Sequence, residues 1–429
     1  MSAFYHFRQS SPAIQLLLIN SFSINCGFYM LYPYLTVYFR DDLGFAAWAI
    51  GLILGIRVLS QQGMTIFGGT LADRVGYKFA ILVGLTLRAA GFAALGLAES
   101  FPTVLAAAVV SGLGGAVFSP ASRAYYSGSA KERRAEVFAL DNAFSQAGAL
   151  IGPLIGLALL AVSLRTVAIT SASVFFTLML FQSRFLPEVR PAAGMAMTSI
   201  RAGWGEVLHN RQFVLFAIAM FGQFTLINQL YLGLPLEIER LTGSQTGVSA
   251  LFIISSVLTI VLQVQVTSFF KRRLRPPYAI TAGLFVMGLA FLPALISASV
   301  LDSNDEAVNL FSAEGAVLLL PLLSAALLAF GVMIANPFAL EMVPRLGRDG
   351  LTATYFGVYA TASGIGATTG NVLTGIAFDQ QDALGLPGLP WLFMILLGAF
   401  CAVFMFNLAR SARFQAAAEA PPSPTTVSA

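Results

Sequence analysis

Twelve long, mostly apolar stretches alternate along this chain with short connections that hold its charge, Pro and Gly. They run over residues 13–37, 46–68, 78–98, 102–124, 136–161, 166–186, 212–236, 247–270, 276–298, 314–342, 351–376 and 389–410, numbered here as segments 1 to 12. A helix needs roughly 20 apolar residues to cross the hydrocarbon core of a bilayer. In lipid only helices and closed barrels satisfy their own backbone, and these stretches are too long and too unbroken in polarity for barrel strands. The predicted fold class is an all-α membrane protein with twelve transmembrane helices. Residues 187–211 are rich in Pro, Gly and charge and divide the chain into an N-terminal bundle, 1–186, and a C-terminal bundle, 212–410. The tail, 411–429, is Pro- and Ala-rich and is expected to be disordered. Phe138, Gly148 and Gly152 of segment 5 recur at one constant offset as Phe356, Gly366 and Gly370 of segment 11, and Pro33 and Pro235 fall near matching ends of segments 1 and 7. An internal repeat of this kind predicts two pseudo-symmetric six-helix bundles, the arrangement of transporters that rock about a site near the midplane.

Composition agrees: 57% of residues are hydrophobic and 10% charged, outside the range of a soluble domain. Charge sets the orientation, because Lys and Arg stay on the cytoplasmic side. Nearly all basic residues fall on one face, including Arg74, Lys78, Arg123, Arg184, Arg211, Lys271, Arg345 and Arg410. Only Arg40, Arg165 and Arg240 face the other way, among acids such as Asp41, Asp42, Asp379 and Asp382. Both termini are therefore expected in the cytoplasm, and the net charge of +4 reflects topology, not a nucleic-acid surface. The two His and two Cys lack any metal-ligand spacing, so no metal or cofactor is expected. No Gly-x-x-x-x-Gly-Lys-Ser/Thr sequence occurs, which removes ATP as the energy source through this chain and leaves an ion gradient, most simply protons. An enzymatic reading finds no support.

Between segments 2 and 3 the chain reads Gly69-Thr-Leu-Ala-Asp73-Arg74-Val-Gly76-Tyr-Lys78. This resembles the signature loop of the major facilitator superfamily, with Tyr77 in place of a usual basic residue. The resemblance implies a conformational latch at Gly69, Asp73, Arg74, Gly76 and Lys78. Segment 5 carries Gly148-Ala-Leu-Ile-Gly152-Pro153-Leu-Ile-Gly156, similar to the antiporter motif of the drug:proton antiporter branch. Small residues four apart also let helices pack closely, and Pro153 permits a bend. Gly55-Ile-Arg57, Gln61-Gln62-Gly63 and Arg88-Ala-Ala-Gly91-Phe92 resemble multidrug-resistance members of that branch. One family feature is missing: the Arg that normally precedes a Gly in segment 4 is replaced by Ala108-Val-Val-Ser111-Gly112.

Arg57 and Arg88 stand near the middle of segments 2 and 3. An Arg there costs at least about 2.5–3.5 kcal/mol unless it meets a cavity or a partner. Arg57 is expected to hold an anionic substrate, to sense protonation of a neighbour, or to bond backbone carbonyls. Arg88 is a coupling candidate beside Arg57, with a structural role weighing more heavily for it, because the third helix of the family is usually peripheral to the cavity. Asp141, about a turn and a half into segment 5, is a further coupling candidate, able to pair with Arg57 or carry the proton, with interfacial bonding as the alternative. By resemblance, Asn20, Asn25 and Tyr29 on segment 1 and Gln223, Asn228 and Tyr231 on segment 7 fall on helices that flank a central cavity, each with helix–helix bonding as the alternative, and Asn336 beside Pro337 on segment 10 is a further cavity candidate that marks either a gating bend or a plain proline kink.

These features predict a monomeric exporter of the bacterial inner membrane, exchanging protons for small organic molecules. Two substrate classes stay open: drugs, as in multidrug efflux, and an endogenous anionic metabolite such as a carboxylate siderophore.

Overall fold

Helices form wherever the chain offers a long apolar run, and proline decides where those runs break. The computed structural model describes residues 12–129, 134–188, 200–242, 246–301, 314–347 and 351–419, and among them every regular element is helical. Ten spans are long and apolar enough to cross a bilayer as they stand. Segment 2 joins them as Ala47–Gly63 and Thr65–Val75, bent by 40°. Segment 11, Thr352–Gln380, has the length but is diluted by Gly and Thr.

Segment 1 is not one helix to residue 37, as expected. It runs Pro12–Leu31, passes through a tight turn at Tyr32–Tyr34 and resumes as Leu35–Asp41. Pro33 has no N–H to give and disfavours the regular helix there. Segment 7 breaks at the equivalent place, between Arg211–Asn228 and Gly233–Thr242. Pro235 cannot donate to the Tyr231 carbonyl one turn earlier, and the Thr36 hydroxyl supplies the bond instead, at 2.6 Å from the opposite half. Segment 9 breaks ahead of Pro293, between Pro276–Leu289 and Leu292–Leu301. Segment 10, Glu314–Leu346, continues as helix through Pro321, Pro337 and Pro344.

The repeat is visible in the packing. A side chain at Gly148, Gly152 or Gly156 of segment 5 would collide with the segment 1 backbone at Phe22, Cys26 and Met30, while one at Gly370 of segment 11 would collide with Thr225 of segment 7. The halves meet along two seams, segment 2 against segment 11 and segment 5 against segment 8. In the first seam Gly51 and Gly55 lie on the backbone of Asn371 and Thr368, and Gly375 lies on that of Ala47.

Two connections differ from expectation. Within the central loop, Ile200–His209 is a helix with Val207 buried, and Asn210 caps segment 7 through the Phe213 N–H. The tail starts with a helix, Ala412–Glu419, anchored by the buried Phe414. Alanine favours helix, and one aromatic anchor offsets the ordering cost of so short a piece. Residues 189–199 and 420–429 lie outside the described part of the chain.

Candidate functional site

The broken ends of segments 1 and 7 bring an aromatic cluster to the seam between the halves. Tyr32 stands edge-on to Tyr231 with centroids 5.1 Å apart, Phe252 lies 5.4 Å from Tyr231, and the hydroxyls of Tyr29 and Tyr231 share a hydrogen bond of 3.2 Å. On the side of this cluster that carries the acidic loops, Tyr34 donates to the Pro153 carbonyl and also bonds the Ser249 hydroxyl, both at 2.6 Å. The Asp379 carboxylate from the end of segment 11 accepts the Ala47 and Trp48 N–H groups at 2.9 Å, capping segment 2 across the seam. These bonds tie the two halves together at the acidic end. On the other side of the aromatic cluster lies a polar cavity of about 450 Å³.

Among its walls, the structure brings together Asn25, Tyr29, Arg57, Arg88, Asp141, Asn228 and Tyr231. Arg57 is 8% exposed; its Nη1 donates to Gln61 Oε1 at 3.0 Å, and its guanidinium lies over the rings of Tyr32 and Phe28 at 4.5 and 4.9 Å from their centroids. Arg88, expected to be peripheral, lines the same cavity at 6% exposure. The Ser21 hydroxyl donates to Asp141. Asn25 and Asn228 give their amide N–H groups to carbonyls one turn back, Ser21 and Phe224, which leaves their side-chain oxygens to face the cavity.

Three expected cavity residues lie elsewhere. Asn20 is fully buried away from the cavity lining, with neither side-chain polar atom bonded. Gln223 and Asn336 turn to each other inside the C-terminal bundle, at 3.4 Å. Consequently all lining residues but Asn228 and Tyr231 come from the N-terminal half. A helix that is apolar nearly all round does not declare which face turns inward. Gln61, Gln62, Ser119, Ser122, Arg123 and Ser145 also line the cavity and were not singled out as cavity residues. Gln61 had a usable signal, because a residue four after Arg57 shares its helix face. Glu237, at the end of segment 7, is 1% exposed and bonded to Arg240 and Ser297, a buried carboxylate that its place beside a loop concealed.

In the latch loop the helix Thr65–Val75 carries Gly69, Asp73 and Arg74. The turn is Gly76 alone, at φ 94°, a conformation that side chains disfavour, and Lys78 lies in the first turn of segment 3. The side chains of Asp73 and Phe138 lie outside the described set. No group of His, Cys, Asp and Glu among the described residues could hold a metal.

A family model described as Major Facilitator Superfamily matches residues 17–371. An uncharacterized MFS-type transporter of Mycobacterium tuberculosis is 39% identical over 394 residues, covering 91% of this chain and 92% of that protein. Multidrug resistance protein MdtH of Klebsiella pneumoniae is 31% identical over 400 residues, covering 92% and 94%. Among solved structures, the nucleoside transporter NupG shares the fold with a TM-score of 0.75 at 16% identity, over 92% of this chain and 99% of that one. A POT family transporter bound to a thioalcohol-conjugated peptide reaches 0.74 at 14% identity, over 95% and 96%.

Proposed function

Because the chain belongs to the major facilitator superfamily, we propose that it exports small organic molecules across the bacterial inner membrane by alternating access, driven by protons moving inward. The observation that carries this reading is the polar cavity at the seam, closed by bonds between the halves on its acidic side. With the basic loops in the cytoplasm, that geometry is a state loaded from inside. The similarity to MdtH, a multidrug resistance protein, supports export of drugs in particular.

Asp141 is the proposed proton carrier. It lines the cavity, and the Ser21 hydroxyl holds one of its oxygens in place. Protonation from outside and release inside would alternate with substrate occupancy. The antiporter motif is proposed to act through segment 1, since its glycines set how closely segment 5 lies against the helix that bears Ser21, Asn25 and Tyr29.

Inverted membrane vesicles with an acidified lumen and a pH-reporting dye test this. A substrate added outside is expected to dissipate the gradient only when the protein is present, and Asp141→Asn is expected to abolish that response while substrate binding persists. Absence of any substrate-dependent proton flux, or a full response from Asp141→Asn, would remove the proton-coupled reading.

A further inference from the structure

Two buried guanidinium groups share the cavity wall. Among the described residues no carboxylate forms an ion pair with Arg57 or Arg88. The Nε atoms of both arginines and the hydroxyl of Tyr32 are buried without a hydrogen-bond partner. All three residues line the one cavity, and two of them carry positive charge.

Arg88 reaches this wall by a route built into its neighbour. Segment 3 packs behind segment 4, and an ordinary side chain on segment 4 would stand in the way. The crossing point is Gly114-Gly115. A Cβ at Gly114 would lie 2.9 Å from Arg88 Cγ, and one at Gly115 would lie 2.8 Å from both Arg88 Nη2 and Gln61 Cδ. The arginine that segment 4 lacks is in effect delivered through a glycine notch from the helix behind. It arrives beside Gln61, which already accepts from Arg57, so the two guanidiniums flank one glutamine.

We propose that the cavity's substrate is an aromatic organic anion whose carboxylate is clasped by Arg57 and Arg88 while its ring lies against Tyr29, Tyr231 and Phe118. This deepens the transport reading and rests on it for the statement that the ligand is cargo. Guanidinium presents parallel N–H donors that match a flat carboxylate. The cavity volume of about 450 Å³ suits one molecule of this kind. A lipophilic cation would meet three like charges, Arg57, Arg88 and Arg123, with Asp141 as the one lining carboxylate among the described residues.

Calorimetric titration of the purified full-length protein with naphthoate, naphthamide and naphthylmethylammonium tests the assignment. Naphthoate is expected to bind at least about tenfold more tightly than the amide, and the ammonium to show no binding. Arg57→Gln and Arg88→Gln are each expected to weaken naphthoate about tenfold or more and leave the amide unchanged. Gly115→Ala, which fills the notch without altering charge, is expected to resemble Arg88→Gln; if it does not fold, the arginine variants decide. Equal affinity for acid and amide, preference for the ammonium, no binding of naphthoate, or an Arg88→Gln protein with unchanged naphthoate affinity would each overturn the proposal. The vesicle assay separates the two readings. If naphthoate binds as expected but no compound of any charge moves protons, export fails and the anion site stands. If cationic drugs dissipate the gradient equally in the original protein and Arg88→Gln, export stands and the anion site falls.

Discussion

Tyr34 shows how much a single residue can do at the seam. Its ring is fully buried, and its hydroxyl ties segment 1 to the Pro153 carbonyl of segment 5 and to Ser249 of segment 8 in the other half. A hydrogen bond of this type contributes about 1 kcal/mol net. Tyr34→Phe keeps the ring and removes both bonds, so it should shift the protein by a few-fold or more toward the form open at the acidic end. Distances between spin labels on the ends of segments 1 and 8 should lengthen in a larger fraction of molecules, and an unchanged distribution would mean that these bonds do not hold the closure. From the sequence Tyr34 was one Tyr among twelve, whereas Arg57 and Asp141 stood out because a charge within an apolar run is costly wherever the helix turns.

At the scale of elements, the N-terminus of segment 2 has no capping side chain of its own, since Ala46 holds that position. Asp379 provides the cap from segment 11, with each carboxylate oxygen taking one N–H and its charge matching the positive end of the helix. This contact joins the two halves, and in the proposed alternating-access cycle it would be lost as the acidic end opens. Asp379→Ala should cost about 1 kcal/mol of the closed state. Hydrogen exchange would report it as faster exchange at residues 47–50, with the first turn of segment 3 unchanged; equal protection in both proteins would argue that water caps the helix as well as Asp379 does. In the sequence Asp379 was legible only as an acid on the outer face. Its partner is more than 300 residues away, and no local pattern encodes that pairing.

For the whole molecule, the tightest seam is made of glycine. Segments 2 and 11 meet along Gly51, Gly55, Gly364 and Gly375, where backbone approaches backbone. In lipid there is little hydrophobic gain from bringing helices together, so close packing of small residues carries the association. Gly51→Val would drive a branched side chain into the Asn371 carbonyl. Overpacking of this kind costs about 1–3 kcal/mol and should lower the melting temperature of the detergent-solubilised protein. Leu373→Ala serves as the comparison, because Leu373, on the facing segment 11, is 45% exposed; a Gly51→Val protein that melts no lower than Leu373→Ala would contradict the packing account.

The all-helical membrane fold and the family were written in the sequence, because apolar length and the signature stretch around Gly76 are local properties of the chain. The partnering of polar side chains was decided by the tertiary structure alone. Helices that are apolar nearly all round can be rotated about their axes with little change in their own energy, and contacts with neighbouring helices fix the rotation. That is why Gln223 and Asn336 found each other instead of the cavity, and why Asn20 faces away from it. It is also why Arg88, on a helix that lies behind another, reaches the cavity through a gap of two glycines and stands beside Arg57.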